Sequence, residues 1–133
     1  MKALLTGASG FIGGHVLQAL LTAGTEVRCL VRDSSPRRNL EGQPVEVAMG
    51  DLRDADSVRN AVDGCDQVYH CAADYRLYAA DPRQLYESNV EGTRNVMRAA
   101  SAAEVETVVY TSSVGALGLH PDGSPANETT PVT

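Results

Sequence analysis

Basic charge is scarce in this chain. Of its 133 residues, 11 are Lys or Arg against 17 Asp or Glu, a formal charge of −6, which excludes a protein that grips nucleic acid through a broad cationic face. Cysteine is equally thin. Cys29, Cys65 and Cys71 are odd in number, show no CxxC spacing and fall in or beside apolar runs, the pattern of reduced, partly buried thiols rather than of a disulfide framework. His15, His70 and His120 lie far apart, and no metal site is expected. No stretch reaches the roughly 18 apolar residues of a membrane span, and glycines stand where a signal peptide would continue its apolar region. A soluble, cytoplasmic protein is the expectation. No glycine loop ends in Lys-Ser or Lys-Thr, which removes the nucleoside-triphosphate hydrolases. What is present is 43% hydrophobic and 21% charged residues, enough for one buried core.

Two kinds of segment alternate. Short β-branched or apolar runs at Lys2–Thr6, 26–32, 45–48, 67–71 and 107–112 each have the length of a buried strand. Between them, residues 11–23 place Ile12, Val16, Leu17, Leu20 and Leu21 on one helical face, with Gly24 as the residue that ends the helix in the left-handed region. Residues 54–62 follow, with Asp54 as N-cap and Gly64 beyond the end. Residues 81–103 form the longest candidate, capped by Asp81, started by Pro82, and directing Tyr86, Val90, Met97 and Ala100 toward the sheet. Such alternation predicts an α/β fold, a doubly wound parallel sheet in the order 3-2-1-4-5, with a binding crevice at the carboxyl ends of the strands. Residues 33–44 and the tail from Gly115 read as irregular. Residues 1–118 are expected to be the nucleotide-binding domain, truncated after its fifth strand, and 119–133 a tail leading toward a missing catalytic part.

The sharpest motif is Thr6-Gly7-Ala8-Ser9-Gly10-Phe11-Ile12-Gly13, a GxxGxxG pattern. With 12 glycines in the chain, it would arise somewhere by chance in about one such sequence in ten. Its position at the first strand-to-helix turn makes it specific. There Gly7 permits the tight turn, Gly10 lets backbone N–H groups approach a pyrophosphate, and Gly13 lets helix and strand pack closely.

With this spacing the chain resembles the extended branch of the short-chain dehydrogenases/reductases, the NAD-dependent epimerase/dehydratase family. The segments that carry the resemblance are TGASGFIGGHV, Gly50-Asp51-Leu52, His70-Cys71-Ala72-Ala73, Asn89-Val90-Glu91-Gly92-Thr93 and Tyr110-Thr111-Ser112-Ser113. More narrowly, RRNLEGQPVEVAMGDLRD and AADYRLYAADP resemble hopanoid-associated sugar epimerases and dihydroflavonol-4-reductase-like enzymes. The resemblance implies a nicotinamide dinucleotide held by Gly7, Gly10, Phe11, Ile12 and Gly13 at its pyrophosphate, by Asp51 and Leu52 at its adenine, and by Cys71, Ala72, Ala73 and Thr111 at its ribose and nicotinamide. Asn89 would hold backbone and water beside it. Cys71 is a spacer rather than a nucleophile, because no nearby base activates it.

Nucleotide choice turns on the end of the second strand. The family's NAD-selecting acid is replaced by Val31 followed by Arg32, whose guanidinium suits a 2′-phosphate, with Arg37 and Arg38 adding field. The expected cofactor is NADP; NAD is the alternative if Asp33 turns to the ribose or pairs with Arg32.

For catalysis the resemblance assigns the substrate-binding hydroxyl to Ser113, or to Ser112 if the loop is shifted by one residue, and requires a Tyr-x-x-x-Lys pair as acid and base. That pair is absent: Lys2 is the only lysine, and Tyr69, Tyr75, Tyr78, Tyr86 and Tyr110 are followed four residues on by Ala73, Ala79, Pro82, Val90 and Val114. The reading is an NADP-dependent oxidoreductase or epimerase whose full-length form acts on a small-molecule carbonyl, alcohol or nucleotide-sugar-like substrate, catalytically incomplete in these residues. The loop 74–78 could touch that substrate. The resemblance also implies a homodimer. The alternative class is a non-catalytic NADP-binding module that senses redox state or engages a partner.

Overall fold

The structure, a computed structural model, describes residues 1–76 and 78–132; Leu77 of the 74–78 loop and the terminal Thr133 lie outside the described residues. Its sheet has five strands, β1 (Lys2–Thr6), β2 (Glu26–Val31), β3 (Val45–Met49), β4 (Gln67–His70) and β5 (Thr107–Tyr110). They are all parallel in the order β3-β2-β1-β4-β5, as the alternation predicts.

Period-two alternation divides the core between the two faces of the sheet. On one face Ala3, Leu5, Val27, Cys29 and Val31 pack against Leu17 and Leu20 of α1 (Phe11–Thr22) and against Leu40. On the other, Leu4, Leu30 and Val68 meet Val58, Ala61 and Val62 of α2 (Ala55–Val62) and Val96, Ala99 and Ala100 of a later helix. Helices on both faces make the sheet doubly wound. Cys29 and Cys65 are buried thiols and Cys71 is half-buried; burial pushes Cys29 up to about 11 and raises Cys65 as well.

Termini follow local chemistry. At the end of α1, Gly24 sits at φ +74°, its N–H bonding the Leu21 carbonyl while the Thr25 N–H bonds that of Leu20, both 3.0 Å. This paired closure needs a left-handed residue. Asp54 caps α2 by accepting from the N–H groups of Asp56 and Ser57. At the amino edge of the sheet, Glu46 of β3 pairs with Arg28 of β2 at 2.8 Å and with Lys2 of β1. Arg28 also donates to the Ala61 and Asp63 carbonyls at the end of α2, at 2.8 and 2.6 Å, placing a cation where the helix dipole is negative.

Three expectations are corrected. The stretch 81–103 is not one uniform helix: α3 (Pro82–Tyr86), capped by Asp81, runs into a π-helical turn at Glu87–Glu91 and then α4 (Gly92–Ala102). A π turn takes more residues than an α turn and so rotates the apolar stripe; Tyr86 and Val90 are exposed, whereas Met97 is half-buried and Ala100 buried. Ile12 does not share the buried face of α1. It lies in the first turn, half-exposed at the crevice. Strands β3 and β5 are edges rather than buried strands: Val47 and Met49 are exposed, as is every residue of β5. After β5 the chain makes a 3-10 turn at Val114–Ala116, and the tail beyond it holds no sixth strand among the described residues.

Candidate active site at the carboxyl edge of the sheet

The chain leaves β1 at Thr6 and turns through Gly7 at φ +79°, where a Cβ would lie 2.7 Å from the Ala72 nitrogen. At Gly13 a Cβ would lie 2.0 Å from the Gly7 carbonyl oxygen. Neither position admits a side chain. The Gly10 N–H bonds the Gly7 carbonyl at 2.9 Å, and the Gly10 carbonyl accepts from Gly14 at 2.9 Å. No side chain caps α1. The N–H groups of Phe11, Ile12 and Gly13 therefore lack the intrahelical acceptors that later residues have, and they sit at the positive end of the helix dipole. A backbone this bare suits an anion.

At the ends of β2 and β3 lies an open hollow of 610 Å³, lined by Arg32, Asp33, Ser34, Asp51 and Arg53 among others. Arg53 grips Asp51 with Nε to Oδ1 at 3.0 Å and Nη2 to Oδ2 at 2.7 Å. That guanidinium is the main reason the Asp51 carboxyl titrates below its ordinary range, and Arg32 adds to the effect. Arg32 itself pairs with no carboxylate among the described residues, Asp33 included, so the alternative Arg32–Asp33 pair does not form. Arg37 donates to the Met49 sulfur at 3.1 Å, and Arg38 is exposed. Leu52 packs on the core, and its carbonyl accepts from Asn95 at 2.8 Å.

At the floor of the crevice His70 is fully buried. Its Nδ1 shares a 2.6 Å hydrogen bond with Thr6 Oγ1, its Nε2 one of 3.0 Å with Thr93 Oγ1, and its ring stacks on Tyr110. Burial pushes the imidazole down to about 4. Thr6 Oγ1 also accepts from the Ala72 N–H at 3.2 Å, which brings Cys71 and Ala72 against the glycine turn. Ala73 is exposed. Asn89, in the π turn, accepts from the Asp74 N–H and donates to the Asp74 carbonyl, both at 2.7 Å. The loop after β4 is thereby fastened at Asp74. Within that loop Arg76 is paired with Asp74, Nη2 to Oδ2 at 2.6 Å, and Tyr75 and Tyr78 are exposed. Thr111 donates to the Cys71 sulfur at 3.3 Å. Ser113 Oγ accepts from the Gly115 N–H at 3.1 Å and caps the 3-10 turn; its own O–H remains available to donate. Ser112 is exposed beside it.

The family model that matches residues 3–133 is described as the NAD-dependent epimerase/dehydratase family. This chain belongs to that family. Among its relatives is a dihydroflavonol 4-reductase-like protein of Synechocystis, 44% identical over 124 residues, covering 93% of this chain and 36% of the relative. The solved structure of gox2253 superposes with a TM-score of 0.90 at 48% identity, covering all of this chain and 40% of that one. A UDP-glucose 4-epimerase of Thermus thermophilus, solved in complex with NAD, superposes at 0.84 with 33% identity, covering all of this chain and 44% of that one. The chain thus spans well under half the length of the family members it matches.

Four site residues escaped the sequence reading. Thr6, His70 and Thr93 form a hydrogen-bonded chain at the floor of the crevice, and the Asn39 amide donates to carbonyls of the glycine turn. His70 and Thr93 lie within the segments that carry the family resemblance, but only folding brings β1, β4 and α4 together. Asn39 stands in a stretch without periodicity; the neighbouring Leu40, apolar in a polar loop and buried, is the one local sign that this loop docks.

Proposed function

We propose that this chain carries the nicotinamide-dinucleotide site of an oxidoreductase or epimerase that moves hydride to or from a carbonyl or alcohol carbon of a small-molecule substrate. The observation that carries the reading is the glycine turn. Its geometry excludes side chains at Gly7 and Gly13 and leaves three uncapped N–H groups for a pyrophosphate at Phe11, Ile12 and Gly13. Names among the relatives, a dihydroflavonol reductase-like protein and an NAD-bound epimerase, support hydride chemistry.

When bound, the nicotinamide supplies the hydride acceptor or donor. The residues of this chain bind and orient it. Asp51 and Leu52 serve the adenine, while Arg32, free of any carboxylate among the described residues, holds a 2′-phosphate and selects NADP over NAD. Cys71, Ala72, Ala73 and Thr111 lie along the ribose and nicotinamide, and Asn89 keeps the loop beside them in place. Ser113 donates its hydroxyl proton to a substrate oxygen. The 133 residues hold no Tyr-x-x-x-Lys, so cofactor binding without appreciable turnover is the expected behaviour, with residues 1–118 as the binding domain.

A titration of the chain with NADPH and NADH, followed by nicotinamide fluorescence in wild type and Arg32→Ala, tests this. NADPH binding weakened on the order of tenfold or more in the variant, with NADH little changed, is expected for loss of a charge-assisted contact. Equal affinities with no effect of the variant would remove the phosphate role of Arg32. Binding of neither would remove the site.

A further inference from the structure

The loop joining β2 to β3 reaches the glycine turn. There the Asn39 amide donates from one nitrogen to two carbonyls of that turn, Ala8 at 2.9 Å and Gly10 at 3.1 Å. The adjoining Leu40 is buried in the core, and the Leu40 N–H bonds the Arg37 carbonyl at 2.8 Å. Gly14, outside the GxxGxxG pattern, makes room for this contact: a Cβ there would lie 2.6 Å from the Asn39 amide nitrogen. The same loop begins with Arg32.

We infer that Asn39 is a positioning residue that locks the pyrophosphate turn and ties it to the loop bearing Arg32, with Gly14 present to admit it; this rests on the reading of the site as a dinucleotide site. The physical argument is directional. Peptide units at Ala8 and Gly10 whose carbonyls are held by Asn39 cannot rotate, so the N–H groups that follow Gly10 keep their orientation toward an anion. Without the amide, the Ala8 carbonyl loses its donor and the Gly10 carbonyl keeps only the Gly14 N–H, so the turn samples other orientations, which weakens anion binding through lost preorganisation. The effect should appear where the ligand carries a pyrophosphate and vanish where it does not.

The test uses the full 133-residue chain as wild type, Asn39→Ala, Gly14→Ala and the double variant, with ADP, adenosine and NADPH as probes. It adds backbone amide exchange of residues 10–14 in the unliganded protein. The inference expects faster exchange in Asn39→Ala and affinities for ADP and NADPH reduced about tenfold. It also expects unchanged adenosine affinity and a thermal midpoint close to wild type. Gly14→Ala should reproduce this by displacing the amide, and the double variant should be no worse than Asn39→Ala, because the two changes break one contact. Equal weakening of ADP and adenosine, unchanged exchange, or additive losses in the double variant would overturn it. Wild type that binds neither ADP nor NADPH would remove the dinucleotide site itself, and unaltered exchange in Asn39→Ala would separately remove the lock.

Discussion

His70 has a titration that the rest of the molecule feels. Its pKa is held at about 4 by burial, below its ordinary value of 6.5, so between those pH values the unfolded chain binds a proton that the folded chain refuses. Stability from the neutral imidazole is complete above about pH 6.5 and is lost as the pH falls toward 4, on the order of 3 kcal/mol in all. The carboxylates lowered by arginine partners, Asp51, Asp74 and Asp81, lose their contribution only below that window. Urea unfolding at pH 7 and pH 5 should show the drop in wild type and a flatter dependence in His70→Gln. At Gly13 the expectation is steric: Gly13→Ala must move the Gly7 carbonyl, destabilising the fold by roughly 1–3 kcal/mol, readable as a lower urea midpoint. What the sequence made legible here was the glycines, because their spacing is local. The partners of His70 lie 64 and 23 residues away, and no periodicity announces such a pairing.

Helix ends show how one closure is built from two different residues. α4 finishes as α1 does: the Glu104 N–H bonds the Ser101 carbonyl at 3.2 Å and the Val105 N–H that of Ala100 at 3.0 Å. Yet Glu104 holds φ +54° where α1 has Gly24. A side chain in the left-handed region costs about 1–2 kcal/mol, partly offset by the greater chain entropy of glycine when unfolded. Glu104→Gly should therefore raise stability by about 0.5–1 kcal/mol, seen as a higher thermal midpoint. Element existence and order were readable because strands and helices alternate with distinct periods. Their fine structure was not: the π turn at Glu87–Glu91 arises where Asn89 reaches the Asp74 backbone, a tertiary contact that overrides a helical pattern continuous through Val90. The exposure of β3 and β5 was likewise invisible, since an edge is defined by a missing neighbour.

Across the whole molecule, both sheet edges are open, with Val47 and Met49 exposed on one and Val108, Val109 and Tyr110 on the other. Unpaired edges with apolar side chains favour association between copies. Sedimentation velocity across a concentration series should show a rising weight-average coefficient for wild type, reduced in Val109→Lys. An invariant monomer would show that these edges are inert. The crevice, by contrast, draws on every loop at the carboxyl end of the sheet. The parallel order alone was enough to place it there, and the contacts that shape it came only with the fold.

The one lysine lies at the opposite end. Lys2 pairs with Glu46 at the amino edge, and the N-terminal ammonium sits 3.9 Å from Asp66 on the same side. Within these residues, both primary amines therefore lie at the end of the sheet opposite the glycine turn. A sensor surface that couples this 133-residue chain through its amines will hold it by the amino end of the sheet with the crevice facing the flowing solution, so the immobilised chain should retain the ligand affinity it has when free.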